Sequence, residues 1–261
     1  MSCSNRIKRE LSMDNLVLGC MVSEMRSPAI GMILERAGLD FFIIDMEHGS
    51  FNYETAADIL VASRGLDIVP FVRVPAIDRE PFQKMLDAGA RGLLVPRVET
   101  TAQVHAALDF MHYPPAGSRG LSLRRGHSGF GRPDPVEFTA HANESIMLMV
   151  QIETRRGVED IDAICEVTGI DVLFVGPSDL NRSYGDVDPE DVQRAVRRVI
   201  EVGTARKIAT GIHTSDVGYI NRLVGEGMRF ISINTEVGAI ISTFSQTGAA
   251  IRSAAGQRTE G

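Results

Sequence analysis

The chain has 261 residues, 44% of them apolar and 23% charged, an ordinary globular composition that excludes wholesale disorder, collagen-like repeats and small disulfide scaffolds. The formal net charge of −7 makes nucleic acid and anionic membranes poor partners. No apolar run approaches the ~18 residues that a membrane span needs.

The opening segment, Met1 to Glu10, is polar and has no apolar signal core, so no secretory signal is expected and a cytoplasmic location is. Cys3, Cys20 and Cys165 are odd in number and far apart, which fits reduced thiols better than a zinc knuckle or a disulfide framework.

Strand-like and helix-like segments then alternate along the chain. LVLGCMV (16–22) and FFIIDM (41–46) are short apolar runs of the kind buried on both faces of a parallel sheet. A helical pattern at 54–64 leads to a strand at 68–74, and a second at 78–88 to a strand at 92–96. After a helix at 100–111 the spacing breaks. The next strand, IMLMVQI, starts only at 146, and the interval holds a Gly- and Arg-rich stretch, 117–135, with Arg119, Arg124, Arg125, Arg132 and His127. An insertion of this length reads either as a solvated surface loop or as a lid or acceptor-binding loop. Beyond it come a helix at 157–168, strands at 172–176 and 208–212 separated by a helix at 189–206, a helix at 216–226 and a strand at 230–234. The segment 237–255 reads as a last helix packing on the body or on a neighbour, and 256–261 is expected to fray. Eight strand–helix units in one domain spanning 1–261 predict an α/β fold, a closed TIM (β/α)8 barrel, with an open doubly wound sheet as the alternative.

A barrel of this kind carries its chemistry at the C-terminal ends of its strands. The second strand ends in Asp45-Met46-Glu47-His48-Gly49 and the third carries Arg73. The fifth ends in Gln151-Ile152-Glu153-Thr154 and the sixth in Gly176-Pro177-Ser178-Asp179. Glu153 and Asp179, on adjacent strand ends, could share a hard divalent cation such as Mg2+ or Mn2+, since two close carboxylates repel unless a proton or a cation sits between them. They could equally be helix caps or salt-bridge partners. His48 suits general acid–base work at neutral pH, or is a packed histidine bonded to backbone. Arg73, inside an apolar run, needs an anion: a developing oxyanion, or a salt bridge to Glu47 or Glu153. The turn Gly176-Pro177-Ser178 could aim backbone N–H groups at a carboxylate.

With these residues in hand the sequence resembles the HpcH/HpaI aldolase family of metal-dependent pyruvate aldolases. The resemblance rests on FFIIDMEHG (41–49), PFVRVP (70–75), LDAGARGLLVPRVET (86–100), VQIETRRGVEDIDAI (150–164) and IDVLFVGPSDLNRSYG (170–185). It implies that Glu153 and Asp179 hold the metal (Mg2+, Mn2+ or Co2+) and that Arg73 stabilises an enolate oxygen. It implies that His48 handles the proton of the aldol hydroxyl, and that Asp87 orients the histidine, within the chain or across a subunit boundary. Gln151 would bond near the metal, and Gly176, Pro177 and Ser178 would cradle a carboxylate. It further implies a homohexamer built from dimers, with the last helix exchanged between neighbours. Two regions depart from the pattern: SLRRGHSGFGRPDP (122–135), and the last strand, where Asn234 stands in place of an expected acid.

The expected activity is reversible cleavage of a 4-hydroxy-2-keto acid to pyruvate and an aldehyde, with small molecules as the partners. Oxaloacetate decarboxylation, acyl-CoA ester cleavage and a non-catalytic keto-acid-binding barrel are the alternatives. The three lysines, Lys8, Lys84 and Lys207, are placed away from the expected mouth, which disfavours a Schiff base.

Overall fold

The computed structural model describes residues 5–185 and 188–255, so Cys3 and the tail at 256–261 lie outside the described residues. Eight parallel strands close into one barrel in sequence order: β1 (Val17–Val22), β2 (Phe41–Asp45), β3 (Val69–Arg73), β4 (Gly92–Val95), β5 (Met147–Ile152), β6 (Val172–Val175), β7 (Ala209–His213) and β8 (Phe230–Thr235). The open sheet is thereby excluded.

Period-two alternation sorts each strand between lumen and outer wall. Phe41, Ile43, Phe71, Leu94, Met149, Phe174 and Phe230 belong to one buried cluster filling the lumen, with Phe41 stacked on Phe230 at 4.0 Å between ring centroids. The intervening residues, among them Phe42, Ile44, Val72, Leu93 and Val150, join a larger cluster beneath the surrounding helices. Helix α1 (Arg6–Ser12) closes the N-terminal end of the lumen: Ile7 is fully buried in the lumen cluster, and the Asn5 amide donates to the carbonyls of Arg91 and Ser145.

The outer helices match the predicted ones where an apolar stripe announced them: α3 (Tyr53–Ala62), α4 (Arg79–Ala88), α5 (Thr101–Met111), α10 (Pro189–Arg206), α11 (Val217–Gly225) and α12 (Glu236–Ala254). Helix α5 starts on a capping box between Thr100 and Gln103. The predicted helix at 157–168 is two short ones, α7 (Arg155–Glu159) and α8 (Ile161–Ile164), broken at Asp160. Four helices had no prediction: α1, α2 (Ile30–Arg36), α6 (Pro135–Ser145) and α9 (Pro177–Tyr184).

The stretch at 117–135 is neither a lid nor an acceptor loop over its own mouth. It runs from the end of α5 to α6, which leads into β5, at the N-terminal end of the barrel. There Gly126 packs so tightly on α4 that an added Cβ would lie 2.1 Å from the Ala88 carbonyl oxygen, and Arg64 donates to the Gly126 carbonyl at 2.7 Å. No acid stands at 234, where the residue is asparagine. Glu236, buried at the first turn of α12, accepts from the backbone N–H groups of Ser23, Glu24 and Met25 and ties the β1 end to α12. Asn234 itself sits at φ 104°.

Candidate active site

Just above the apolar lumen, the inward positions of the strand ends turn polar. Asp45, Arg73, Gln151 and Glu153 are all buried there. Arg73 needs an anion at this depth and finds two. Its Nε donates to Asp45 Oδ1 at 2.9 Å and its Nη2 to Asp45 Oδ2 at 2.6 Å, while Nη1 lies 3.2 Å from Glu47 Oε2. The predicted bridge is therefore made to Glu47, and the stronger, two-pronged partner is Asp45, which sequence reasoning passed over. Burial works against the Asp45 carboxylate, but Arg73 and the N–H groups of Glu47 and His48 hold its pKa below the ordinary value. Glu47 is shifted the other way. Its burial, with Asp45 and Asp179 nearby, outweighs the attraction of Arg73 and His48.

Glu153 is the most perturbed carboxyl of the site. Burial first, then the charges of Glu47 and Asp179, push it up to about 7, against the hydrogen bond from the Arg97 N–H and the charge of Arg73. Its Oε1 accepts from that N–H at 2.8 Å, and its Oε2 accepts from Gln151 Nε2 at 2.5 Å. Arg97 adopts φ +54°, an uncommon conformation for a residue with a side chain, to deliver that donor. Asp179 stands half-buried at the third position of α9 and is not its cap, since the helix begins at Gly176 with Pro177 as the first helical residue.

Gly176 is the hinge of this geometry. A Cβ there would lie 2.5 Å from Glu153 Oε2 and 2.8 Å from Gln151 Nε2. Only glycine lets the start of α9, with the open N–H groups of Ser178 and Asp179, come down onto the carboxylate. The Glu153 carboxylate, destabilised by burial and by the nearby charges of Glu47 and Asp179, a Gln151 Oε1 that is buried without a partner, and helix-end donors beside them make an oxygen-rich recess suited to a hard cation and an anionic ligand. Among the described residues no group of three or more His, Cys, Asp or Glu forms a closed metal cage. Two carboxylates with open positions fit a hard divalent cation completed by water and ligand.

His48 stands at the rim with its side chain two-thirds exposed, and its nearest acid is Glu47 at 4.0 Å. Asp87 does not meet it within one chain. It lies at the end of α4, at the opposite end of the barrel, where it accepts from Arg119 at 2.8 Å and from Gln83 at 3.0 Å. The mouth opens beside Glu47 into a cavity of about 570 Å3, walled by Pro75, Ile77, Pro96, Arg97 and Gln103.

The sequence matches the HpcH/HpaI aldolase/citrate lyase family over residues 20–243. It is 34% identical over 243 residues to a hydroxypyruvate/pyruvate aldolase of Roseobacter denitrificans, covering 92% of this chain and 94% of that one. It is 31% identical over 241 residues to a 5-keto-4-deoxy-D-glucarate aldolase of Escherichia coli, covering 91% and 93%. The fold superposes on the crystal structure of an HpcH/HpaI aldolase/citrate lyase family protein from Burkholderia cenocepacia with a TM-score of 0.89, at 31% identity and with 95% and 100% of the two chains covered.

Proposed function

This chain belongs to the HpcH/HpaI aldolase/citrate lyase family, and we propose accordingly that it is a divalent-metal-dependent aldolase cleaving a 4-hydroxy-2-keto acid reversibly to pyruvate and an aldehyde. The observation that carries the reading is the buried Glu153 carboxylate, raised by Asp179 and Glu47 and faced by the Arg73 guanidinium at the same strand-end level.

Glu153 and Asp179 are the residues that would hold the cation. Once bound, it supplies Lewis acidity that lowers the cost of charge on a keto oxygen. Arg73, locked by Asp45, offers a fixed positive group to the same oxygen without having to reorganise. The Ser178 and Asp179 N–H groups at the start of α9 receive the substrate carboxylate, and Gln151 bonds beside it. In the cleavage direction His48 takes the proton of the C4 hydroxyl as the aldehyde carbonyl forms. The C3–C4 electron pair passes to C3 and C2 as the enolate, which then takes a proton at C3 to give pyruvate.

Two features of the single chain support a homo-oligomer. His48 lacks a close orienting acid, while Asp87 waits at the other end of the barrel, fixed by Arg119 and Gln83; Asp87 of a neighbouring subunit would complete the pair. Helix α12 buries only Glu236 and leaves Ile241, Phe244 and Ile251 exposed, the pattern of a helix covered by a second copy. A hexamer of exchanged dimers would satisfy both. No helix among the described residues is long and apolar enough to cross a membrane, and we assign the protein to the cytoplasm.

The test is a panel of aldehydes with pyruvate and Mn2+, read by product mass, with oxaloacetate assayed alongside. Hydroxy-keto acid products are expected. Decarboxylation of oxaloacetate without any aldol product would overturn the assignment.

A further inference from the structure

The mouth holds a second histidine for which the proposed reaction has no use. His213 is the last residue of β7, and Ser232 stands opposite it in β8. Ala209 packs on the lumen cluster and Phe230 belongs to it, so period-two alternation turns His213 and Ser232 inward as well. Ser232 is fully buried, and its Oγ lies 2.9 Å from His213 Nδ1. That contact fixes the ring and uses one nitrogen. Nε2 has no partner among the described residues and is not a sealed orphan, so it is left to the mouth. Burial, reinforced by the charge of Arg73 and opposed by that of Asp45, holds the imidazole below its ordinary pKa. At neutral pH it is a neutral hydrogen-bonding group within reach of the Arg73 field.

What faces it follows from the barrel order. In a closed ring of eight strands β7 and β8 lie across the lumen from β3 and β4. The proposed 2-oxo acid is held by its carboxylate at the start of α9, after β6, and by its keto oxygen at Arg73, at the end of β3. The remaining substituent of C2, the reacting carbon C3, is then the part turned toward the β7–β8 wall. A methyl group there would leave Nε2 without a partner. A hydroxyl on C3 would pair with it, because a hydroxyl can donate or accept and so suits either tautomer that Ser232 selects.

We propose that His213, positioned by Ser232, is a specificity-determining residue that selects a 2-oxo acid bearing a hydroxyl on C3 as the enolate-forming half of the reaction. This rests on the aldolase reading above and names its donor. A site built to bond a hydroxyl discriminates against the analogue lacking it, because its polar group is then left unpaired.

The experiment is C3-proton exchange in D2O with Mn2+ and no acceptor, above the enzyme-free rate, for hydroxypyruvate and pyruvate separately. The variants are His213→Leu, His213→Gln and Ser232→Ala, each checked for folding by its melting curve. The wild-type protein is expected to favour hydroxypyruvate in kcat/KM, and His213→Leu to lower the hydroxypyruvate-to-pyruvate ratio by about tenfold or more, the worth of one hydrogen bond to a neutral group. Ser232→Ala is expected to lower it less, by loosening the ring, and His213→Gln to retain part of it. If His213→Leu does not fold, a drop in the Ser232→Ala ratio carries the test. A ratio unchanged within about twofold, against that tenfold expectation, would overturn the inference and leave the aldolase standing. Exchange of neither donor by the wild-type protein would remove the enolate reading and this inference with it.

Discussion

Asp45 grips Arg73 through two parallel hydrogen bonds, Nε to Oδ1 at 2.9 Å and Nη2 to Oδ2 at 2.6 Å, between adjacent strand ends that are paired in register. Both side chains are buried, so each is the other's compensation for lost water. Asp45→Asn should therefore do two things. It should cost about 3 kcal/mol of stability, the lower end for breaking a buried pair, because Glu47 still holds Nη1. It should also lower turnover by freeing the guanidinium. Arg73→Ala should lower kcat by ~10²–10³, as loss of one oxyanion donor does, and Arg73→Lys should not restore it, since an ammonium cannot match the fork. Urea melts and steady-state kinetics check both. Near-wild-type kcat in Arg73→Ala would remove the residue from its role.

Gly176→Ala separates the metal recess from the rest of the fold. The new methyl would need the space of Glu153 Oε2 and Gln151 Nε2, so the carboxylate must turn away from Asp179. Mn2+ affinity is expected to fall by roughly 10–100-fold, as when groups supporting metal ligands are disturbed. Titration calorimetry measures it, and an unchanged Mn2+ affinity would mean that Glu153 is not a ligand.

The barrel was legible because its signal is local and repeated: eight apolar runs, each followed by a turn and most by a stripe of apolar residues at helical spacing. Helix α6 escaped because Pro135 to Ser145 has little apolar periodicity, although Asp134-Pro135 is a sound start signal. Asp45 was in plain view in FFIIDMEHG. Counting in twos from Phe41 puts it on the lumen side with Arg73, but the bridge partners weighed for Arg73 were Glu47 and Glu153. The left-handed backbone at Arg97 leaves no trace in residue type, so its donor to Glu153 could not be read. Of the two readings of the stretch at 117–135, the surface loop stands and the lid fails for a topological reason. A connection from helix to strand lies at the end of the barrel away from the chemistry, which rules out a lid over its own mouth and brings the stretch against Asp87 instead.

Metal removal gives a direct test of Glu153 and Asp179. EDTA should abolish aldol cleavage, and Mg2+, Mn2+ or Co2+ should restore it. Full activity of metal-free protein would take both carboxylates out of the mechanism. The same assay with borohydride and pyruvate should give no covalent adduct. Lys8 lies at the barrel's N-terminal end, where it pairs with Asp171, Lys84 pairs with Glu80 on the outside of α4, and Lys207 precedes β7. None of the three reaches the mouth, and a modified lysine would overturn the enolate route.

The buried cluster around Asp87 predicts a pH dependence of stability independent of the metal site. His127 lies 4.0 Å from Asp87 and edge-on to Phe138. Burial pushes its pKa down to about 4, with Arg119 adding to the shift and Asp87 opposing it. In the unfolded chain the same imidazole titrates near 6.5. Between these values the unfolded state binds the extra proton, so stability should rise with pH across roughly 4 to 6.5 and be lost as pH falls through that window. His127→Gln removes the titrating group. Urea unfolding of wild-type protein and variant at several pH values in that window should show a steeper wild-type slope, by up to about one proton. Ionisable groups away from this cluster are common to both proteins and drop out of the difference, so parallel profiles would mean that His127 charges as readily folded as unfolded.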